Sequence, residues 1–265
     1  MCPRLDWMNM RSFFEAISVS CVIPAQSPAD DERTVFENLS FAVERGEIVD
    51  LVGPSGSGKS SLLTACARLN PHAHGAFALE GKGSDEFTPQ QWRRDVAYLP
   101  QKPILTGKNV AEAIRLPWTL AIRGKGGKGE HLLPDERIRT TLDAMGCEDI
   151  DLERAPHDLS GGQAQRVVIA RAIINEPKVI LADEPMSAID VAARIQILDT
   201  FAAIRAARPS TAIIMVSHDL GVVQHIADRI LVLHDGRLEE TGSTAEVLGN
   251  PQSDYTRQLI EAASL

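Results

Sequence analysis

The stretch Gly53-Pro54-Ser55-Gly56-Ser57-Gly58-Lys59-Ser60-Ser61 decides the fold class. It matches the pattern G-x-x-x-x-G-K-[ST], with a short apolar strand predicted at 47–52 before it and a helix predicted at 59–69 after it. Glycines allow close backbone approach to a ligand, and the N–H groups of the turn and the helix start converge on phosphate oxygens. The sequence therefore predicts a nucleotide-phosphate loop, in which Lys59 neutralises the terminal phosphates and the Ser60 hydroxyl binds Mg²⁺.

Segments on both sides of this loop alternate between strand-like and helix-like patterns, which is typical of an α/β protein. Strands are predicted at 14–22, 34–43, 178–182, 211–216 and 230–233, and helices at 191–207 and 220–227. We interpret the chain, from residue 8 to 265, as a P-loop NTPase core with an antiparallel β subdomain. A helical subdomain is predicted as an insertion at about 106–176, with a surface loop at 123–130, and a helical tail at 243–265.

Composition limits the functional classes. The chain has 36 acidic and 27 basic residues and a net charge of −9, which argues against a nucleic-acid partner. Its four cysteines (Cys2, Cys21, Cys66 and Cys147) lack the spacing of a zinc site, so reduced thiols are expected. Neither a signal peptide nor an apolar run of about 20 residues that could cross a bilayer is apparent, so we expect the chain to stay where it is made.

A second acidic element follows a later apolar strand. Val179-Ile180-Leu181-Ala182 leads directly into Asp183 and Glu184. In a phosphoryl-transfer site, Asp183 is the expected partner of Mg²⁺ and Glu184 the general base that polarises the attacking water. The simpler alternative is that these are two solvated acids at a strand end. The phosphate loop in the same chain favours the catalytic interpretation over it.

The segment Leu159-Ser160-Gly161-Gly162-Gln163 narrows the class further. It precedes an apolar helical run at 167–174, so Ser160 and the glycines stand at another helix start that suits an anion. An ordinary N-cap would explain Ser160 but not the whole string. With this signature, the chain resembles the nucleotide-binding subunits of ABC transporters over nearly its whole length, about 18–262.

The resemblance implies how the subunit works. In that family, two subunits enclose two ATP molecules, so Ser160, Gly161, Gly162 and Gln163 would contact the γ-phosphate held by the partner's Lys59. ATP and Mg²⁺ are the implied cofactors. The implied partners are transmembrane permease subunits and a second ATPase subunit, identical or different, at the cytoplasmic face of the membrane.

Three further residues match family elements in the family's order. Gln101 resembles the glutamine that contacts Mg²⁺ and water and forms the hinge toward the membrane partner. Asp190 resembles the end of a loop that crosses the dimer interface, although it could equally cap the next helix. His218 resembles the switch histidine that binds the γ-phosphate and orients Glu184 and the water.

Two positions depart from the family pattern. The aromatic residue that usually stacks on adenine is replaced by Cys21 or Val22, with Phe13, Phe14 or Phe36 as possible substitutes. Asp50 lies inside a predicted buried strand, where an unpaired carboxylate is costly. It therefore needs a partner, a shifted pKa or an exposed edge.

Several alternatives stay open from the sequence. A DNA-repair ATPase of the same superfamily would use the same sandwich but usually carries long insertions, and a small-molecule P-loop kinase would lack the signature. The tail at 242–259 is similar to peptide and nickel importer ATPases, whereas 110–118 looks more like a metal-efflux ATPase. Cargo, direction of transport, and pairing with an identical or a different subunit are not decided.

Overall fold

The strands of the described residues form two sheets. The computed structural model describes residues 12–25, 31–119, 133–187, 189–217 and 219–263. The antiparallel sheet has the order β2-β1-β4-β5, with β1 (Phe14–Ile23), β2 (Arg33–Val43), β4 (Ala73–Leu79) and β5 (Lys82–Gly83). The second sheet has the order β10-β9-β3-β8-β7-β6, with β3 (Ile48–Val52), β6 (Val96–Leu99), β7 (Val179–Asp183), β8 (Ala212–Val216), β9 (Arg229–His234) and β10 (Arg237–Ser243).

Strand β3 lies inside the second sheet and delivers the phosphate loop. It runs parallel to β8 on one side and to β9 on the other, and all five of its residues are buried. Burial on both faces explains why β3, β7 and β8 read as nearly continuous runs of Val, Ile and Leu. The combination of an antiparallel sheet, a largely parallel sheet and helices confirms the predicted α/β class.

The helices of the described residues lie between and after these strands. They are α1 (Lys59–Cys66), α2 (Pro89–Asp95), α3 (Val110–Thr119), α4 (Asp135–Asp143), α5 (Gly161–Ile173), α6 (Val191–Ala207), α7 (Leu220–Ile226), α8 (Thr244–Gly249) and α9 (Asp254–Ala263). Short 3₁₀ turns occupy Ser84–Glu86 and Pro156–Asp158. No helix within the described ranges is long and apolar enough to span a bilayer.

The structure corrects some predicted boundaries. Helix α1 was predicted to reach residue 69 but ends at Cys66, because Arg68 adopts a left-handed backbone conformation with φ +54° and turns the chain. Strand β10 was not predicted, since its residues alternate between exposed and half-buried and include two glutamates. The surface loop predicted at 123–130 lies outside the described residues.

The chain divides into two compact units. The first contains the residues up to Tyr98, Lys178–Leu181 and the chain from Ser210 onward. The second contains Leu99–Pro177 and Ala182–Pro209. The phosphate loop belongs to the first unit, whereas the Asp183–Glu184 pair and the signature belong to the second. The insertion at 106–176 stays a prediction about domain organisation.

Candidate functional site

The phosphate loop follows β3 in a conformation that only glycine tolerates at two of its corners. Gly53 has φ +152°, and a β-carbon there would lie 2.0 Å from the carbonyl oxygen of Leu233. Gly58 has φ +98°, and a β-carbon there would lie 2.7 Å from Cγ1 of Val35. Contacts this short are not tolerated, so both glycines are required by close packing as well as by backbone conformation.

Lys59 lies at the start of α1 with only 5% of its surface exposed. Its Nζ donates to the carbonyl oxygens of Gly53, at 2.9 Å, and Pro54, at 2.7 Å. The helix start has no side-chain cap and no acidic residue in its first turn. Its positive end is therefore suited to an anionic ligand, and the loop holds the Lys59 charge beside it.

A cleft of about 440 Å³ opens beside the phosphate loop in the same unit. Its walls come from the start of β2, from the loop and from the turn between β9 and β10. The lining is mostly polar or charged: Arg33, Thr34, Val35, Phe36, Glu37, Pro54, Ser55, Gly56, Ser57, Asp235, Gly236 and Arg237. Its volume falls within the range of small-molecule sites.

The aromatic residues proposed as possible adenine platforms are buried in the structure. Phe13, Phe14 and Phe36 are only 3%, 0% and 1% exposed. Phe14 packs against Phe41 and Trp92, with ring centroids 6.4 and 6.3 Å apart. Their rings belong to the core, so none of them presents an exposed face on which adenine could stack, and the residue that stacks on adenine stays a prediction. Cys21 is also buried, at 1%.

We therefore expect weak discrimination between purine nucleotides. An aromatic stack contributes about 0.5–1.5 kcal/mol beyond burial, and the candidate rings cannot supply it. The ratio of kcat/KM for ATP over GTP should stay below about a hundredfold. Competition of GTP against labelled ATP, followed by steady-state kinetics with each nucleotide, measures this ratio. A larger preference for ATP would contradict this expectation.

The two carboxylates of the second unit differ in environment. Asp183 ends β7 and is 4% exposed, whereas Glu184 is half-buried. Glu184 has φ +45°, a left-handed conformation that costs a residue other than glycine about 1–3 kcal/mol. Its Oε2 accepts a hydrogen bond of 2.7 Å from Nε2 of Gln101. The structure thus brings Gln101 and Glu184 together, although 83 positions separate them in sequence.

The signature forms the start of α5 and a complete capping box. The Ser160 hydroxyl accepts from the Gln163 amide at 3.2 Å, and Oε1 of Gln163 accepts from the Ser160 amide at 3.1 Å. Gly162 faces α6 so closely that a β-carbon would lie 2.6 Å from Cβ of Ala193. The ordinary capping role of Ser160 is therefore present, and the remaining residues of the string shape the helix start around it.

An ion pair between a buried arginine and an exposed aspartate supports the signature helix, and sequence reasoning did not identify it. Arg166 is 2% exposed and donates to both carboxylate oxygens of Asp149, each at 3.0 Å. Nε2 of Gln163 donates to the same carboxylate at 3.0 Å. Burial opposes ionisation of Asp149, but these hydrogen bonds outweigh it and lower the pKa of that carboxyl. The signal in the sequence was an arginine just before an apolar run.

Asp190 and His218 have different outcomes. Oδ1 of Asp190 accepts from the Ala193 amide at 2.8 Å, so Asp190 caps α6, which was one of its two predicted roles. Its place at a subunit interface stays a prediction. His218 lies outside the described residues, as does Ala188, so the predicted switch role of His218 stays a prediction as well.

Comparison with known proteins connects these features to a family. The family model described as ABC transporter matches residues 36–187. A putative peptide import ATP-binding protein of Brucella ovis is 36% identical over 232 residues, covering 86% of this chain and 72% of that protein. The di/tripeptide transport ATP-binding protein DppF of Pseudomonas aeruginosa is 34% identical over 237 residues, covering 86% and 70%.

A solved structure agrees with this match. The ATP-binding cassette MJ0796, described as a dimer in a post-hydrolysis state with ADP and Pi, has a TM-score of 0.73 and 27% identity. The similarity covers 87% of this chain and 98% of that one. Fold and phosphate loop together therefore define a P-loop NTPase.

The chain belongs to the ABC transporter family. It is an ATP-binding and ATP-hydrolysing subunit that energises transport. The names of these relatives give no support to a role in DNA repair.

Proposed function

We propose that this subunit powers the import of peptides through a membrane permease, from the cytoplasmic face of the membrane. The observation that carries this proposal is the 36% identity over 232 residues with proteins named for peptide import. The tail similarity seen in the sequence points in the same direction. Peptide import is therefore favoured over metal efflux, which is supported only by the sequence similarity of 110–118 to a metal-efflux ATPase.

The proposed catalytic roles follow from the described contacts. Residues 53–61 surround the nucleotide phosphates, and Lys59 neutralises their charge. Glu184 accepts the proton of the attacking water, while its hydrogen bond from Gln101 fixes the direction of the carboxylate. His218 is proposed to orient the water and the γ-phosphate. Positioning and charge stabilisation, rather than covalent chemistry by the protein, carry phosphoryl transfer.

The oxygen donors fit Mg²⁺. The Ser60 hydroxyl, the Asp183 carboxylate and the Gln101 amide oxygen are hard ligands of the kind Mg²⁺ takes beside substrate phosphates. Gln101 uses its Nε2 for Glu184, and its Oε1 makes no hydrogen bond within the described residues. When bound, the metal neutralises charge that develops on the phosphate oxygens. We propose these three residues as its protein ligands.

We also propose that hydrolysis needs a second ATPase subunit. In this arrangement Ser160, Gly161, Gly162 and Gln163 meet the nucleotide held by the partner's Lys59, and Asp190 lies at the interface. The described dimer of the similar cassette supports a second copy of this chain as that subunit. Each composite site then combines a phosphate loop and a signature from different chains.

Reconstitution tests the proposed cargo. The chain and the permease that co-purifies with it are placed in vesicles with ATP, and uptake of labelled dipeptides, tripeptides and longer peptides is measured. We expect ATP-dependent uptake of at least one peptide class, abolished by Lys59→Ala, and none of free amino acids. Movement of a metal ion without peptide uptake would contradict the proposed cargo but leave the ATPase assignment intact.

A further inference from the structure

Asp50 is a buried carboxyl group that the mechanism above does not use. It lies in the middle of β3, is 0% exposed, and is paired in register with two apolar residues, Met215 of β8 and Ile230 of β9. Its Oδ1 accepts a hydrogen bond of 3.2 Å from the amide of Ser217, whereas its Oδ2 has no hydrogen-bond partner among the described residues. An apolar residue would avoid this desolvation cost, so the carboxyl group calls for a functional reason.

The group that Asp50 holds begins the turn between β8 and α7. Ser217 is 6% exposed, and its hydroxyl accepts from the amide of Asp219 at 3.0 Å. Oδ1 of Asp219 in turn accepts from the amide of Gly221 at 3.0 Å. Asp50 is thus the first member of a series of hydrogen bonds that ties this turn to β3.

This connection joins two loops at one edge of the sheet. Strands β3 and β8 are parallel neighbours, so their carboxyl ends lie at the same edge. Ligands of open α/β sheets bind at that edge. One of the two loops is the phosphate loop, which follows β3 directly. The other begins with Ser217 directly after β8, and Asp50 binds the Ser217 amide from within β3.

The charge state of Asp50 is sensitive to the phosphate loop. Burial raises the pKa of this carboxyl to about 8, while the Ser217 amide and the positive charge of Lys59 act in the opposite direction. Among the described residues, Lys59 is the charged side chain that lowers the pKa of Asp50. The strand partners of Asp50, Met215 and Ile230, are apolar. The same Lys59 charge is the one that meets the nucleotide phosphates.

We propose that Asp50 is a positioning residue for ATP hydrolysis: it fixes Ser217, and through Ser217 also Asp219 and Gly221, to the strand of the phosphate loop, and it competes with the incoming nucleotide for the positive charge of Lys59. This goes beyond the proposed function, because it concerns the nucleotide site and needs neither permease nor peptide. Phosphates that arrive beside Lys59 disfavour the ionised carboxyl, so the bound state holds the proton more tightly. ATP binding should therefore weaken as the pH rises through 8.

ATP binding at different pH tests the charge exchange. The full chain is titrated with labelled ATP by equilibrium dialysis at several pH values between about 7 and 9. If ATP binds only when a group of pKa about 8 is protonated, Kd rises by up to about tenfold over this range. We expect this rise in the wild type and a flat profile in Asp50→Asn.

A second carboxylate that binds a backbone amide of the same strand provides a matched control. Oδ2 of Asp228 accepts the amide of Ile48 at 2.9 Å, at the end of β3 far from the phosphate loop. Asp228→Asn should keep the wild-type pH profile. A wild-type profile in Asp50→Asn, or a flat profile in Asp228→Asn, would overturn the proposed charge exchange.

Amide exchange and kinetics test the positioning role. In Asp50→Ala we expect faster exchange of the Ser217 amide and a fall in kcat of about tenfold or more, as loss of a positioning group predicts, with KM changed much less. Asp50→Asn keeps an oxygen acceptor and should restore both. Wild-type exchange and kcat in Asp50→Ala would overturn the proposal. If the alanine variant fails to fold, the exchange of the Ser217 amide in Asp50→Asn still tests the proposal. Fast exchange of that amide in Asp50→Asn would contradict the positioning role.

Discussion

Glu184→Gln is expected to lower the rate of ATP hydrolysis by about 10²–10⁴-fold while ATP affinity stays near that of the wild type. The amide has nearly the same shape as the carboxylate and can still accept the hydrogen bond from Gln101, but it cannot take a proton from water. Because ATP then stays intact between the two subunits of the proposed dimer, the variant should accumulate as an ATP-bound dimer. Single-turnover hydrolysis and size-exclusion chromatography with and without ATP measure both effects.

Glu176→Gln is the matched control for this variant. Glu176 lies in the same unit, also has a left-handed backbone conformation (φ +56°), and is exposed beside Arg137. Replacing it removes one carboxylate without touching the proposed site, so hydrolysis should be unchanged. Normal turnover by Glu184→Gln would remove Glu184 from the role of general base, whatever the dimer does.

Ser160→Asp is expected to abolish turnover while the separate chain still binds ATP. Aspartate caps a helix as well as serine does, so the capping interaction with the Gln163 amide is retained and the fold should keep its stability. In the proposed dimer, however, the new carboxylate faces the γ-phosphate of the partner's nucleotide. Like charges at this distance oppose closure, so we expect hydrolysis to fall by at least about a hundredfold.

The choice of substitution separates the two roles of Ser160. Ser160→Thr keeps both the cap and the hydroxyl and should retain most of the activity, whereas loss of the cap alone would cost about 0.5–2 kcal/mol of stability. Melting temperature, ATP binding and hydrolysis are compared for both variants. Full turnover by Ser160→Asp would show that the signature does not meet a nucleotide.

The features that sequence predicts best are those with local causes. The phosphate loop follows from the glycine pattern and its strand–turn–helix setting, and α6 has the predicted bounds, Val191–Ala207, because Asp190 supplies a local cap. The prediction for α1 was too long, because the left-handed conformation of Arg68 is not apparent from its residue type.

Features that depend on distant parts of the chain could not be predicted. The amide that Asp50 binds is 167 positions away, and the partner of Glu184 is 83 positions away. Sequence reasoning identified the cost of burying Asp50 but not the contact that compensates for part of it. The burial of Phe13, Phe14 and Phe36 likewise depends on how β1 and β2 pack into the core.

Mixing two inactive variants tests most directly whether one hydrolysis site is formed by two chains. Lys59→Ala lacks a working phosphate loop, and Ser160→Asp lacks a working signature. A dimer with one copy of each still has one site with both halves intact, made of Lys59 from one chain and Ser160 from the other. We predict that each variant alone is inactive and that the mixture regains ATP hydrolysis. If pairing is random, half of the dimers contain one copy of each variant, so the mixture should reach about a quarter to a half of the wild-type rate, provided that one intact site suffices for hydrolysis. A mixture as inactive as its two components would contradict a site shared between two copies of this chain.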